Sequence, residues 1–88
     1  MLTITKLRYA LALASTEHFG KAAEQCHVTQ PTLSIGISTL EHWLGFDIFV
    51  RERMQGRAFK YAGITEQGQQ FLQRAAKVVS DFDDLMKG

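Results

Sequence analysis

Residues 21–34 read KAAEQCHVTQPTLS, and this stretch decides the fold. Its first part, Lys21–Cys26, contains paired alanines, which are the best helix formers, and predicts a short helix. The next three residues, His27–Thr29, predict a tight turn. Thr29 is a good N-cap, and Pro31 falls in the first turn of the next helix, where its missing N–H leaves no hydrogen bond unmade. The stretch therefore predicts two helices joined by a tight turn.

Apolar spacing extends this prediction in both directions. Four residues before the stretch recur at helical spacing: Leu7, Ala10, Leu11 and Ala14. They predict a first helix over about residues 5–16, with Thr3 or Thr5 as its N-cap. Four further residues recur within and after it: Leu33, Ile37, Leu40 and Leu44. They form the apolar stripe of a third helix over about residues 30–44, and Gly45 is suited to end it.

The hydrophobic period then changes from helical to alternating. Phe46, Ile48 and Val50 alternate with their neighbours up to Arg51, which predicts a strand. Residues 54–56 predict a turn and residues 58–61 a returning strand, so that a wing spans about residues 47–61. Thr65 is placed to cap a long last helix over about residues 66–87. The fold class is therefore mainly α: a winged helix-turn-helix domain over residues 1–64, followed by a linker helix over residues 65–88.

Length and composition agree with one small domain. The 88 residues suffice for a single core. No apolar run approaches the roughly 18 residues of a membrane span, and the N-terminus lacks the pattern of a secretory signal. Cys26 is the only cysteine, so no internal disulfide is possible and the cytosol is the expected compartment.

The third helix and the wing carry the candidate functional residues. Opposite the apolar stripe lie small or amide-bearing side chains suited to base edges and thymine methyl groups: Gln30, Thr32, Ser34, Ile35 and Ser38. The net charge is only +1, but bases suited to a phosphate backbone collect around the wing and the second helix: Arg51, Arg53, Arg57, Lys60 and Lys21. The alternative is that this polar face is simply solvated.

The last helix has the apolar rhythm of a coiled-coil seam. Residues spaced four and three apart form the seam: Phe71, Ala75, Val78, Phe82 and Leu85. Others widen it: Leu72, Ala76, Val79 and Met86. We expect one side of this stripe to pack on the first helix and the rest against a second subunit. The alternative is packing wholly within the chain.

The sequence shows no catalytic or cofactor pattern. His18, His27 and His42 lack metal-ligand spacing with one another or with Cys26. The adjacent Cys26 and His27 do not make a nucleophile–base pair, and a structural thiol is the simpler interpretation. We therefore expect neither an enzyme nor a bound cofactor or metal.

The stretch HFGKAAEQCHVTQPTLS, residues 18–34, resembles the helix-turn-helix of LysR-type transcription regulators. Further blocks of the resemblance follow in the family's order at residues 40–45, 48–51 and 64–68, so that it covers almost the whole chain. Within the family, residues 18–34 look most like the peroxide-sensing OxyR branch.

The resemblance implies sequence-specific binding of double-stranded DNA by a homodimer joined through the linker helices. It places residues at or near the bases: Thr29, Gln30, Pro31, Thr32 and Ser34. It also implies a bacterial, cytoplasmic, nucleoid-associated regulator whose small-molecule or redox inducer acts on a C-terminal domain absent from this chain.

Two departures from the family pattern affect the expected interface. Ile35, Gly36 and Ser38 stand where family members often carry a basic or amide side chain, which shifts the expected specificity toward thymine methyl groups and DNA shape. Residues 51–65 also look longer than the usual wing, so that the tip either reaches a groove or is mobile. The rival function is a winged-helix protein-interaction module that does not bind DNA.

Overall fold

The computed structural model describes residues 3–54 and 59–88. Its helices and strands in chain order are α1 Ile4–Thr16, α2 Phe19–Gln25, α3 Gln30–Leu44, β1 Phe49–Arg53, β2 Phe59–Ile64 and α4 Glu66–Lys87. This order confirms the mainly α, winged helix-turn-helix architecture with an added last helix. Over the described ranges, no helix is both long and apolar enough to cross a membrane.

Hydroxyl caps fix where three of the helices begin. The side chains of Thr3, Thr29 and Thr65 accept hydrogen bonds from backbone N–H groups three residues further on. The sequence predicted Thr29 and Thr65, and of its two candidates for the first helix Thr3 is the cap. The second helix differs, because it begins at Phe19 rather than Lys21. His18 Nδ1 accepts the N–H of Lys21 at 3.1 Å and caps the helix two residues earlier.

The core lies where α1, α2 and α3 meet. Leu13, Leu33, Ile37 and Leu40 are fully buried there. Gly36 is also buried, and a Cβ at its position would lie 2.6 Å from the ring of Tyr9 on α1. The absence of a side chain at residue 36 thus allows α1 to approach α3 closely, and this position faces α1 rather than the exposed side of the helix.

The hairpin corrects the predicted strand. β1 begins at Phe49, and Phe46 precedes it and packs edge-to-face on Phe71 of α4, with ring centroids 6.2 Å apart. Ile48 and Phe49 are both buried and Val50 is exposed, so the prediction that Ile48 and Val50 share one side and Phe49 lies on the other was wrong. The strand register shifts between Val50 and Arg51, and Gly63 opposite Val50 has a φ of 136°. This bulge resets which face each residue occupies.

The returning strand also has different bounds from those predicted. β2 continues to Ile64, three residues beyond the predicted end at residue 61. The predicted turn at residues 55 and 56 and the predicted strand start at residue 58 lie outside the described residues.

Helix α4 is fixed to the rest of the domain at both ends. At its start, the Thr65 N–H donates to the Ile48 carbonyl at 2.9 Å. Near its end, the Arg8 guanidinium donates to both carboxylate oxygens of Asp83, and the shorter bond is 2.5 Å. These hydrogen bonds, with the positive charge of Arg8, lower the pKa of Asp83. The helix therefore crosses α1 in a defined register.

Candidate nucleic-acid interface

The face of α3 turned away from the core carries every base-facing candidate. Six of these residues are exposed: Thr29, Gln30, Pro31, Thr32, Ile35 and Ser38. Ser34 is half-buried at the edge of this face. We call these seven residues the α3 outer face. Most of them are small or carry a hydroxyl or amide group, Ile35 is the large apolar member, and none carries a charge.

The start of α3 is organised by hydroxyl groups. Thr29 Oγ1 accepts the Thr32 N–H at 3.3 Å and donates to Thr32 Oγ1 at 2.9 Å. No acidic residue lies in this first turn. The positive end of the helix dipole is therefore not neutralised by a local carboxylate, which favours an approaching anion.

The turn before α3 sets the angle between the two helices. His27 has a φ of 58°, in the left-handed region, and its N–H donates to the Glu24 carbonyl at 3.1 Å. The Val28 N–H donates to the Ala23 carbonyl at 3.0 Å, and Val28 packs against the core. These hydrogen bonds end α2 in a tight turn, so that α3 begins directly beside it.

Gln30 lies against the start of α2. A Cβ built on Gly20 would come within 3.6 Å of Gln30 Oε1 and 3.0 Å of the His18 ring. The amide of Gln30 therefore extends over the glycine at the beginning of α2. Lys21, one residue further on, is exposed on the same short helix.

A buried carboxylate joins α3 to the wing. Glu41 is 6% exposed and accepts the backbone N–H groups of Ile48 at 2.7 Å and Phe49 at 3.1 Å. Arg51 donates to both of its carboxylate oxygens, at 2.6 and 3.3 Å. The guanidinium of Arg51 also lies 5.9 Å from the centre of the Phe19 ring on α2. We call this group of contacts the Glu41 anchor.

The Glu41 anchor changes the expected role of Arg51. Its side chain is only 18% exposed and its two terminal nitrogens are engaged with Glu41. Arg51 therefore holds α2, α3 and β1 together. Because Glu41 is the only acid on α3 and is turned inward and paired, the α3 outer face remains free of negative charge.

Two other wing bases are exposed. Arg53 lies at the end of β1 with its guanidinium 6.0 Å from the centre of the Phe59 ring, its cross-strand partner. Lys60 is exposed on β2 opposite Glu52. The fourth predicted wing base, Arg57, lies outside the described residues. The hairpin thus presents Arg53 and Lys60 to solvent beside α3.

The structure divides the apolar stripe of α4 into two parts. Leu72, Ala75 and Val79 are buried in the chain's own core, and Phe71 is half-buried against Phe46. The remaining large apolar residues are exposed: Val78, Phe82, Leu85 and Met86. Ala76 is exposed as well. Part of the stripe therefore packs within the chain, as expected, and a second part is left without cover by described residues.

No described residues form a catalytic or metal-binding arrangement. Among residues 3–54 and 59–88, no group of three or more His, Cys, Asp or Glu side chains is placed to hold a metal ion. Cys26 is half-buried, and desolvation raises the pKa of its thiol. A raised pKa lowers the thiolate fraction that nucleophilic chemistry requires.

Sequence reasoning missed two contributors to this site. Glu41 resembles an ordinary polar residue beside an apolar stripe, and only the fold shows that it faces two strand N–H groups. The capping role of His18 had a usable signal, since it stands three residues before Lys21.

Comparison with known proteins agrees with this geometry. Residues 4–69 match the family described as bacterial regulatory helix-turn-helix protein, lysR family. The regulator EstR of Acinetobacter baylyi is 38% identical over 85 residues, which are 97% of this chain and 26% of that protein. A hydrogen peroxide-inducible genes activator of Pectobacterium carotovorum is 41% identical over 83 residues, with 91% and 26% covered. The chain thus spans about a quarter of the length of these relatives.

Solved structures show the same arrangement of elements. Full-length OxyR C199D of Pseudomonas aeruginosa superposes with a TM-score of 0.88 and 39% identity, covering 99% of this chain and 28% of that one. The BenM DNA-binding domain in complex with benA site 1 DNA superposes with a TM-score of 0.78 and 34% identity, covering 98% and 90%. The two relatives described above are named as a transcriptional regulator and as an activator of genes, and neither is named as an enzyme. The chain belongs to the LysR family of bacterial regulatory helix-turn-helix proteins.

Proposed function

We propose that this chain is the DNA-reading domain of a LysR-type transcription regulator and binds double-stranded DNA sequence-specifically. Helix α3 lies in the major groove, and the wing follows the adjacent phosphate backbone. The observation that carries the proposal is the uncharged α3 outer face, which begins at an acid-free helix N-terminus, together with the exposed Arg53 and Lys60 of the hairpin that Glu41 joins to α3. The BenM and CbnR DNA-binding domains, which share this fold, are solved as complexes with DNA.

The contacts divide by chemistry into base-reading and backbone-holding groups. The amide of Gln30 and the hydroxyls of Ser34 and Ser38 have the donors and acceptors that base edges require. Lys21, Arg53 and Lys60 are exposed cations that suit phosphates. Arg57 is a further candidate from the sequence alone. Arg51 contributes by holding β1 in place through Glu41.

The binding assay is fluorescence anisotropy of a labelled random-sequence duplex, titrated with the chain at several salt concentrations. Neutralisation of phosphates requires that the logarithm of the association constant fall linearly with the logarithm of salt concentration. Selection from a random library then gives the preferred site. A chain that binds no duplex even at low salt refutes the proposal and favours the rival function, a winged-helix module that binds protein.

Lys60→Ala should flatten the salt dependence of DNA binding. Each phosphate contact contributes about 0.9 to the slope on a double-logarithmic plot, so the loss of one exposed cation should reduce the slope by about that amount on every sequence. The matched control is Lys77→Ala, which removes an exposed lysine from α4. Equal slopes for the two variants would remove Lys60 from the phosphate-binding set.

We further propose that the domain, residues 1–64, dimerises through the helix of residues 65–88. The exposed residues Val78, Phe82 and Leu85 follow one another at spacings of four and three, which is the rhythm of a helix–helix seam. They continue the stripe whose buried members, Leu72, Ala75 and Val79, belong to the chain's own core. A second copy of α4 offers the same pattern in return, as a two-fold interface requires.

Phe82→Asp should shift the chain toward monomer. Replacing an aromatic residue in the centre of an interface commonly costs about 2 kcal/mol or more, which raises the dissociation constant by roughly 30-fold. Sedimentation velocity over a range of concentrations measures the shift. Ser80→Asp is the control, because it adds the same charge to an exposed position on another side of α4. An unchanged sedimentation profile for Phe82→Asp would contradict this interface.

We assign inducer recognition to a part of the regulator outside this chain. The chain aligns with about a quarter of EstR and of the peroxide-inducible activator. We propose that a small-molecule or redox signal acts on the remaining part, as the name of the peroxide-inducible activator suggests, and that the regulator works in the bacterial cytoplasm. This domain then recognises DNA and sets how the two subunits of the dimer are arranged.

A further inference from the structure

Ile35 is an apolar side chain at the centre of an otherwise polar surface. It is 67% exposed, although isoleucine is among the residues most often buried. It lies in the second turn of α3, on the side opposite Leu33, Ile37 and Leu40. No described contact within the chain accounts for its position, because the core lies on the other side of the helix.

The surroundings of Ile35 make it a ridge between two shallow depressions. On one side, the surface is lined by Ser34, Ser38 and His42, and on the other by Tyr9 and residues of α1. The flanking serines are small. The branched Ile35 side chain lines both depressions and, at 67% exposure, is open to a surface that approaches α3.

The chemistry of the major groove supplies one matching group. Among the base edges exposed there, the C5-methyl group of thymine is the apolar one, while the others present hydrogen-bond donors or acceptors. A β-branched side chain has restricted rotamers, so that little conformational freedom is lost on contact. The residues that reach base edges from a recognition helix lie in its N-terminal part, where Ile35 is placed.

On this basis, and resting on the proposed function, we infer that Ile35 reads a thymine in each half-site through its C5-methyl group. Ser34 and Ser38 flank the contact and provide hydrogen bonds to neighbouring base edges. The site is thus selected at this position by an apolar contact rather than by a charged side chain. A cytosine at the same position lacks the methyl group and presents an amino donor to Ile35 instead.

Replacing each thymine of the selected duplex in turn by deoxyuridine tests the inference, because this change removes only the methyl group. For the unmodified chain, one position per half-site should lose about fourfold in affinity, the effect of one buried methyl group. Ile35→Ala should bind the thymine duplex about as weakly as the unmodified chain binds the uracil duplex. It should also lose its sensitivity to the substitution at that position.

Two controls separate this contact from other effects. Ser38→Ala, which alters a neighbouring exposed residue of α3, should keep the fourfold sensitivity to the methyl group. Circular dichroism should show that Ile35→Ala is folded, as expected for an exposed position. Equal sensitivity in Ile35→Ala and the unmodified chain would overturn the inference and leave the proposed function standing. So would the absence of any sensitive thymine, whereas a chain that binds no duplex would overturn both.

Discussion

Replacing Glu41 by alanine should lower the free energy of unfolding by about 3–5 kcal/mol, the usual effect of removing one partner of a buried ion pair. The N–H groups of Ile48 and Phe49 would lose their acceptor at the start of β1. The Arg51 guanidinium, which is only 18% exposed, would lose its counter-charge. Urea denaturation followed by circular dichroism measures the change.

Two further variants identify the cause of this loss. Glu24→Ala removes an exposed carboxylate from α2 and should change stability by no more than about 0.5 kcal/mol. Glu41→Gln should fall between the two, since an amide oxygen still accepts from the strand while the negative charge is lost. If Glu41→Ala were as stable as Glu24→Ala, the Glu41 anchor would not hold the wing to α3.

The Glu41 anchor also explains why a charged residue can lie inside so small a domain. The chain leaves α3 at Gly45 and enters β1 only a few residues later. The N–H groups of Ile48 and Phe49 therefore face the helix instead of water. A carboxylate satisfies both groups, and Arg51 balances its charge. Replacing the whole set by apolar residues would leave the two N–H groups without an acceptor, which buried backbone rarely tolerates.

Helix bounds were predictable because their determinants are local. Thr29, Pro31 and Gly45 mark the start and end of α3 by their own conformational preferences, and the structure places the helix at Gln30–Leu44 as expected. The last helix also begins at its predicted cap, Thr65. Neither boundary depends on what the helix packs against.

Which side of β1 faces the core was not predictable in the same way. The sequence from Phe46 to Arg51 contains apolar residues at both odd and even positions, so that alternation alone did not decide which side faces the core. Packing decides it: Phe49 fills the core beside Tyr61, and Val50 turns outward. The bulge between Val50 and Arg51 depends on a cross-strand partner, which a single segment does not reveal.

The exposed face of α3 was predictable from the sequence, but the contacts of Arg51 were not. The exposed side of α3 followed from its apolar stripe, since the two faces of a helix are complementary. The role of Arg51 did not follow, because its partner lies ten residues earlier and on another element. A count of basic residues near the wing therefore overstates the charge available to phosphates. Arg53 and Lys60 remain as the exposed cations among the described wing bases.

Gly68→Ala should lower the free energy of unfolding by about 1–3 kcal/mol, although alanine is the better helix former by about 1 kcal/mol. A Cβ at Gly68 would lie 2.2 Å from the Ile48 carbonyl oxygen and 2.7 Å from the Ile48 Cα. Both atoms belong to the backbone and cannot rotate away as a side chain would. Helix α4 would have to move away from Ile48, the residue before β1, which weakens the hydrogen bond from the Thr65 N–H to the same carbonyl.

The matched control for this change is Gln69→Ala, at the next and exposed position of α4. It introduces the same residue into the same helical turn without a neighbouring backbone, and its unfolding free energy should stay within about 0.5 kcal/mol of the unmodified chain. Similar values for the two variants would mean that α4 can shift off Ile48 without cost. Because Ile48 also donates to Glu41, a shift at Gly68 reaches the Glu41 anchor through a single residue. The two variants thus probe one continuous connection, from the linker helix through the first residues of the wing to the helix proposed to read DNA.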